Sequence, residues 1–354
     1  MLHTHTSHPA RDDANVAVHD PAAEASALVE LYNSAGGLAW LSNRGWTVGL
    51  PCNGTTARWD RISCDAQGRV TNLHLSRNNM IGTIPSQIGL LTAVIGMNYR
   101  SNQLHGTLPR QLFELGALQR MVLYANNLSG TVPTQVGLLA GLKQLDMYYN
   151  RLSGTVPSQF GGLSLLDGDL SLRSNRFSGT LPAQLANLRS AGRIWLNNNA
   201  LSGTLPAGVG QLRSLTSLYT QYNALVGTIP PSLGNLSHLS TLSVQGNALS
   251  GYVPSQLGLL TGLTSLSMGR NQLSGTIPSQ MGRLTNLERM CVTSLCLSPR
   301  QPLSVSSFAP PCTSSPPRML ACCSRHAPVP CGSTLTVKCT QTTSAGFFLV
   351  SSAT

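Results

Sequence analysis

Apolar and polar residues alternate along most of the chain in one pattern, which recurs about every 24 residues. Each copy opens with a stretch such as Leu145 to Met147, and this period of two predicts a short strand with one buried face. A glycine and then a proline follow, such as Gly203 and Pro206. Because proline cannot donate within a central strand, it marks the exit from the strand, and the few residues after it suit a 3₁₀ turn.

One asparagine occupies the same position in every copy, and the spacing is 24 residues except for 25 between Asn150 and Asn175. An asparagine side chain both donates and accepts, so the pattern predicts an internal ladder of hydrogen bonds to the backbone. The nine asparagines are Asn78, Asn102, Asn126, Asn150, Asn175, Asn199, Asn223, Asn247 and Asn271. No single copy can bury its own leucines, so we expect the copies to stack into a solenoid.

The residues before the repeats predict a terminal cap, which a solenoid requires because its first repeat otherwise exposes an apolar edge. Asp20 and Pro21 are suited to begin a helix, and Gly36 with Gly37 to end it. Leu28 and the neighbouring Leu31 and Tyr32 place an apolar stripe on one face of that helix.

The repeat motif L-x-G-x-[IV]-P resembles that of plant-type leucine-rich repeats, as found in receptor-kinase ectodomains, receptor-like proteins and polygalacturonase-inhibiting proteins. The cap is also similar, through Trp40, Trp46, Cys52, Trp59 and Cys64. The resemblance implies an α/β solenoid: a curved superhelix with a parallel concave β-sheet, short 3₁₀ turns on the convex side and a helical N-terminal cap. It also implies a disulfide between Cys52 and Cys64, although two reduced buried thiols remain an alternative. Arg61 departs from the family, which usually has glycine there.

The sequence divides into four segments. Residues 1–19 are expected to be disordered, 20–68 to form the cap, and 69–290 to form nine repeats and the start of a tenth. Residues 291–354 hold seven of the nine cysteines, eight prolines and no acidic residue. Their cysteine spacings fit no zinc pattern. We interpret this segment as a disordered or incorrectly translated tail, with a disulfide-bonded stalk as the alternative.

The charge is strongly basic, with 23 lysines and arginines against 12 acidic residues, and all but two of the basic residues are arginine. Coding-sequence composition explains such a bias as well as an anionic partner does. The basic residues are scattered singly, which argues against nucleic-acid binding. No apolar run is long enough to span a membrane. No cofactor or metal ligand set is expected.

Three Asn-x-Ser/Thr sites, at Asn53, Asn127 and Asn235, are candidate glycosylation sites. Together with the cap cysteines they favour an oxidising, extracellular or cell-wall location. The opening residues lack the apolar stretch of a secretion signal, so we expect either a different native start or an unconventional export route.

Candidate binding residues lie six, four, two and one positions before each ladder asparagine, where the concave face should be exposed. Six of the twelve tryptophans and tyrosines fall there, concentrated in the central repeats. Such aromatics suit recognition surfaces and also stack on sugar rings, although strands favour aromatics in any case. The candidates are Arg120, Tyr124, Asp146, Tyr148, Tyr149, Asp169, Arg173, Arg193, Trp195, Tyr219 and Tyr222.

The leading hypothesis is a non-catalytic recognition module in cell-surface signalling or defence. Its concave sheet would bind a protein, a peptide or an acidic cell-wall polysaccharide, with a membrane-bound co-receptor as a further partner. No phosphate loop or nucleophile elbow is present, and Asp167 with Asp169 are interpreted as surface groups rather than a catalytic pair. One alternative is a receptor ectodomain that lacks its membrane span and kinase. Another is a structural or ice-binding solenoid that uses an in-register row of Thr83, Thr107, Thr131, Thr155, Thr180, Thr204, Thr228 and Thr276.

Overall fold

The computed structural model describes residues 20–53 and 56–292. The predictions made for residues 1–19 and for the cysteine-rich tail beyond 292 therefore lie outside the described residues. So do residues 54 and 55, which complete the glycosylation motif of Asn53.

The cap begins with one α-helix, Pro21–Ser34, followed by a 3₁₀ turn, Gly37–Ala39. Asp20 caps the helix, because its Oδ1 accepts from the backbone N–H groups of Ala22 at 2.9 Å and Ala23 at 3.2 Å. The helix buries Leu28 and Leu31 against the first repeat. The sequence-based prediction of a helical cap is confirmed.

The rest of the cap is held by a disulfide and by packed tryptophans. Cys52 and Cys64 are bonded, as the family resemblance implied, and Cys52–Asn53 pairs with Thr56–Ala57 in a short antiparallel ladder. Trp46 packs between Trp40 and Trp59, with ring centroids at 4.8 and 5.3 Å. Arg61 adopts a left-handed φ of 62°, which explains why glycine is usual there.

The main sheet has eleven strands, and we call it the concave sheet. The first strand is antiparallel to the second, and all later pairs are parallel and in register, as Leu170 with Ile194 shows. The middle residue of each three-residue parallel strand is buried in the core, except that Met290 of the last strand is only partly buried. The strands are Ile62–Cys64, Val70–Leu73, Gly96–Asn98, Arg120–Val122, Gln144–Asp146, Asp169–Ser171, Arg193–Trp195, Ser217–Tyr219, Thr241–Ser243, Ser265–Ser267 and Arg289–Cys291.

A second set of parallel strands follows the ladder asparagines, where only a turn was expected from sequence. It comprises six-stranded and three-stranded sheets joined by a bridge between Thr204 and Val226, and we call it the second sheet. Its strands are Ile81–Gly82, Gln103–Thr107, Asn127–Gly130, Arg151–Thr155, Arg176–Thr180, Ala200–Ser202, Val226–Gly227, Ala248–Tyr252 and Gln272–Ser274. The repeated glycine lies within these strands or directly after them, at a left-handed φ such as 72° for Gly179.

A 3₁₀ turn follows the proline of each repeat, as predicted, and the proline stands at its N-cap. The turns are Ser86–Leu90, Arg110–Glu114, Thr134–Leu138, Ser158–Gly162, Ala183–Asn187, Ala207–Gln211, Pro231–Asn235, Ser255–Leu259 and Ser279–Arg283. Concave strand, second-sheet strand and 3₁₀ turn enclose one continuous core of leucines. The fold is therefore the predicted solenoid, with one sheet more than the sequence indicated.

The ladder asparagines join the two sheets. Asn199 donates through Nδ2 to the carbonyl oxygens of Leu172 at 3.1 Å and Leu196 at 3.0 Å, and its Oδ1 accepts from the N–H of Phe177 at 3.0 Å. The same three contacts recur from Asn102 to Asn271. Asn78 instead bonds the backbone of Ser42, which attaches the cap to the first repeat.

Candidate functional site

The sequence-derived candidates all lie on the concave sheet or directly after its strands. Six lie within strands: Arg120, Asp146, Asp169, Arg193, Trp195 and Tyr219. The other five occupy the turns between those strands and the ladder asparagines. In these turns the residue directly before the asparagine has a left-handed backbone, with φ of 52° at Tyr149 and 58° at Tyr222. This geometry carries both rings to the margin of the face, where they are exposed.

A column of stacked side chains crosses the centre of this face. The rings of Tyr124 and Tyr148 are nearly parallel, with centroids 4.2 Å apart. The guanidinium carbon of Arg173 lies 4.5 Å from the centroid of Tyr148 and 4.7 Å from that of Trp195. Cation–π attraction and stacking therefore hold this arginine between two rings. We call Tyr124, Tyr148, Tyr149, Arg173 and Trp195 the central cluster.

Tyr148, at the middle of the central cluster, has no open ring face. Tyr124 covers one face of Tyr148 and Arg173 covers the other. Tyr149 packs edge-on against Tyr148, with its centroid 5.1 Å from Arg173. Burial raises the pKa of the Tyr148 hydroxyl to about 12, so this group stays protonated and can donate a hydrogen bond near neutral pH.

An ion pair and a further aromatic contact extend the cluster to the next repeats. Arg193 donates through Nε to Asp169, which is its cross-strand neighbour in the sheet. Trp195 meets Tyr219 edge-to-face, with centroids 5.7 Å apart. The ion pair of Arg193 and Asp169 is partly exposed, so it fixes the positions of these side chains more than it adds stability.

Asp146 is a buried carboxyl group within this otherwise basic face. Its residue is only 6% exposed, and among the described residues its carboxyl oxygens accept one hydrogen bond, from Gln144 Nε2 at 2.7 Å. Burial raises the pKa of this carboxyl above its ordinary value; the hydrogen bond from Gln144 opposes the rise and the nearby Asp169 adds to it. Ionisation of Asp146 in the folded protein therefore costs free energy.

Unpaired buried polar atoms are concentrated on the same face. Six buried side-chain atoms lack a hydrogen bond among the described residues, and five of them lie on the concave face. These five are Arg100 Nε, Ser171 Oγ, Arg173 Nε, Trp195 Nε1 and Gln221 Oε1. Buried polar atoms are normally bonded, so this concentration marks a surface with unused hydrogen-bonding capacity.

Two candidates stand apart from the cluster. Tyr222 lies over Gly246 and accepts a hydrogen bond from Gln245 Nε2 at 2.9 Å. Arg120 lines a shallow depression of about 400 Å³ at the edge of the sheet, together with Lys143 and Asp167. That depression adjoins the single 25-residue repeat, whose Gly168 contributes no side chain to its wall.

Three further residues contribute to this face and were not predicted from the sequence. Arg100 donates through Nη1 to the Tyr124 hydroxyl at 3.1 Å and extends the column by one repeat. Ser171 and Gln221 lie on the same face, but a small or uncharged side chain gives no sequence signal for binding. Position alone could have included all three, because each lies two or four residues before a ladder asparagine.

The described residues contain no group of histidine, cysteine and acidic side chains arranged to hold a metal ion. Across residues 20–53 and 56–292, the helix of the cap is too short and too polar to cross a membrane.

Comparison with protein families identifies the repeat unit. The family model described as Leucine Rich Repeat matches residues 141–163, 214–236 and 262–284. A comparison with curated proteins gives no significant match.

Solved structures with the same fold include two Arabidopsis receptors. One is the receptor kinase HAESA in complex with the peptide hormone IDA and the co-receptor SERK1, at 30% identity and TM-score 0.67, covering 76% of this chain and 45% of that chain. Another is the ectodomain of GASSHO1/SCHENGEN3 from Arabidopsis thaliana in complex with CASPARIAN STRIP INTEGRITY FACTOR 2, at 27% identity and TM-score 0.63, covering 76% and 35%.

A plant ice-binding protein shares the fold at 23% identity and TM-score 0.56, covering 78% of this chain and 98% of that chain. The chain spans less than half the length of the receptor chains that it matches. The repeat motif, the asparagine ladder, the sheet topology and the similar solved structures all indicate the same type of repeat. The chain contains leucine-rich repeats, and its solenoid is similar to the ectodomains of plant receptor kinases.

Proposed function

We propose that this protein is a non-catalytic recognition module that binds an extended peptide or protein segment with acidic groups across the centre of the concave sheet. The observation that carries the proposal is the coincidence of the central cluster with five unpaired buried polar atoms. Tyrosine, tryptophan and arginine are the residues that most often dominate binding energy at interfaces. A polar ligand that shifts these side chains would gain hydrogen bonds that the free protein leaves unmade.

Charge supports an acidic ligand. Residues 69–290 contain 15 basic and 5 acidic residues, a net charge of +10. On the central face only Arg193 has an acidic partner, whereas Arg100 and Arg173 pack against rings. Such a surface attracts an acidic partner and accelerates its association.

The arrangement of the rings favours a peptide over an acidic polysaccharide. Sugars stack on open aromatic faces, but both faces of Tyr148 are already covered. Hydroxyl, indole and guanidinium groups at the ring edges suit the backbone and side chains of a peptide. The HAESA structure contains a peptide hormone, and we extend this class of ligand to the present chain.

The setting that we propose is extracellular, at the cell surface or in the cell wall. The cap disulfide is typical of oxidising compartments. The HAESA complex also includes a co-receptor, and we propose that a membrane-bound partner of this kind joins the present chain once its ligand is bound.

The test uses selection rather than a guessed ligand. Random peptides would be panned on the full chain, and an enriched synthetic peptide titrated by calorimetry, with oligogalacturonate as the polysaccharide comparison. Replacing Tyr148 and Trp195 together by alanine should weaken peptide binding about tenfold or more, because two hot-spot side chains are lost. Tyr252→Ala, which removes a 72% exposed ring from the second sheet, is the matched control and should leave affinity unchanged.

Acid-rich peptides that lose affinity in the double variant would support the proposal. Undiminished affinity in a double variant that remains folded by circular dichroism would refute the assignment of the face. Tight binding of oligogalacturonate without any peptide enrichment would show that the ligand is an acidic polysaccharide and not a peptide.

A further inference from the structure

A second candidate surface lies on the other side of the solenoid, beside the second sheet. A groove of about 500 Å³ runs there across three repeats. It is lined by threonines that lie at or directly after the ends of successive second-sheet strands and by residues of the 3₁₀ turns. We call this the threonine groove, and its residues are Thr131, Val132, Thr134, Thr155, Val156, Pro157, Ser158, Gln159, Thr180 and Pro182.

The threonine side chains are held in one orientation by packing. The methyl carbon of Thr155 lies against Gly179 of the next repeat, at only 2.9 Å from where a Cβ on that glycine would stand. Thr131 packs in the same way on Gly154, at 2.7 Å, and Thr180 on Gly203, at 2.6 Å. The methyl groups therefore fix the side chains, and the hydroxyl groups are left in the same position repeat after repeat.

The hydroxyls of Thr131, Thr155 and Thr180 make no hydrogen bond to any described residue, and all three threonines are exposed. Valine would supply the same methyl packing and has higher strand propensity. Packing therefore accounts for the methyl groups and not for the hydroxyl groups.

The chemistry of the groove differs from that of the central cluster. None of the residues that line it carries a charge. Its valines and Pro157 are buried in the core, so the groove exposes mainly threonine, serine and glutamine side chains, which provide donors and acceptors. A ligand for such a groove is linear, uncharged and rich in hydroxyl groups.

We propose that the threonine groove binds an uncharged linear polysaccharide, independently of the concave face. The chain would lie across the three repeats of the groove, so each of these repeats adds a similar small contribution and affinity grows with ligand length up to the length of the groove. The protein would then hold a neutral glycan on one side and an acidic peptide on the other.

The test is an isosteric triple variant in the full chain, with Thr131→Val, Thr155→Val and Thr180→Val. The probes are hexasaccharides of uncharged β-1,4-linked glucose, mannose and xylose, with hexagalacturonate as the charged comparison. At least one uncharged probe should bind the native chain, and the triple variant should bind it about tenfold more weakly, because three hydrogen-bonding groups are lost. The melting temperature should be unchanged, since every methyl contact remains.

Two matched variants separate this proposal from the proposed function. Valine at Thr204, Thr228 and Thr276, outside the groove, should leave glycan binding intact, and so should alanine at Tyr148 and Trp195. The proposal is overturned if no uncharged probe binds, or if the triple variant of the groove binds as well as the native chain. Thermal hysteresis that the triple variant abolishes, without glycan binding, would identify ice as the ligand instead.

Discussion

The concave sheet and the second sheet of this solenoid differ in how much their exposed residues vary from repeat to repeat. On the concave sheet one row reads Arg120, Gln144, Asp169 and Arg193, so its chemistry changes with every repeat. On the second sheet the corresponding row is threonine in eight positions, interrupted by Tyr252. A surface that varies can recognise one partner among many, whereas a surface that repeats can only match something that repeats.

The physical origin of the difference lies in the neighbours of each row. Second-sheet threonines pack against glycines of the next repeat, which limits what the position accepts. Concave side chains project from the sheet and contact mainly one another, so substitution there costs the framework little. The shared ladder of asparagines lies between the two faces, so we expect substitutions on either face to leave its hydrogen bonds unchanged.

The largest effect should come from breaking that shared ladder. Asn199→Leu leaves the carbonyls of Leu172 and Leu196 and the N–H of Phe177 without their partner. We expect a loss of about 3 kcal/mol in the free energy of unfolding, because each unpaired group costs roughly 1 kcal/mol or more. Urea denaturation measures it. The control is Asn187→Leu, at an exposed position where other repeats carry leucine, and equal stability of the two variants would contradict the ladder.

A smaller effect should come from the second sheet. Gly179→Ala places a methyl group against Thr155 at a left-handed φ, so we expect a loss of about 2 kcal/mol. Gly49→Ala shares the left-handed φ but meets no atom within 4 Å, and it therefore isolates the backbone cost. Adding Thr155→Ser, which removes the colliding methyl, should recover part of the loss in thermal denaturation. No recovery would show that the threonine methyl does not restrict this position.

The smallest effect concerns the buried carboxyl of the concave face. Because the folded-state pKa of Asp146 is raised above its ordinary value of 3.8, the native state holds this proton more tightly than the unfolded chain. The contribution of Asp146 to stability should therefore decrease as the pH rises from about 3.8 through the folded-state pKa. Asp146→Asn should raise stability near neutral pH and not below pH 3.8, as measured by urea denaturation across pH. The exposed Asp167→Asn should show no such pattern, and an identical response of both variants would argue against a buried charge.

Much of the framework was predictable from the sequence, because the same pattern of residues occurs in nine successive repeats. The strands around Leu145 and Leu170, the 3₁₀ turns after each proline and the cap helix that begins at Pro21 all follow from periodicity and from residues with strong local preferences. The bond between Cys52 and Cys64 followed from resemblance rather than from spacing.

The second sheet and the packing of the site were not predictable in this way. The segment Arg151–Thr155 contains serine and glycine, which indicate a turn when they are considered alone, and its strand exists only because neighbouring repeats supply partners. The stack of Arg173 between Tyr148 and Trp195 depends on three repeats whose relative twist no single repeat encodes. Sequence identified the positions that lie on the concave face, although Asp146 and Ser171 are buried there and not exposed as expected, and only the structure showed which side chains meet.

Hydrogen exchange with and without the selected peptide tests the central claim most directly, because one experiment reports on both faces. We predict that peptide binding slows amide exchange in Gln144–Asp146, Asp169–Ser171 and Arg193–Trp195 and in the turns that follow them. Exchange in Arg151–Thr155 and Arg176–Thr180 should not change. Protection confined to the second sheet, or to the flanking concave strands Thr241–Ser243 and Ser265–Ser267, would contradict the claim that the centre of the concave sheet is the recognition surface.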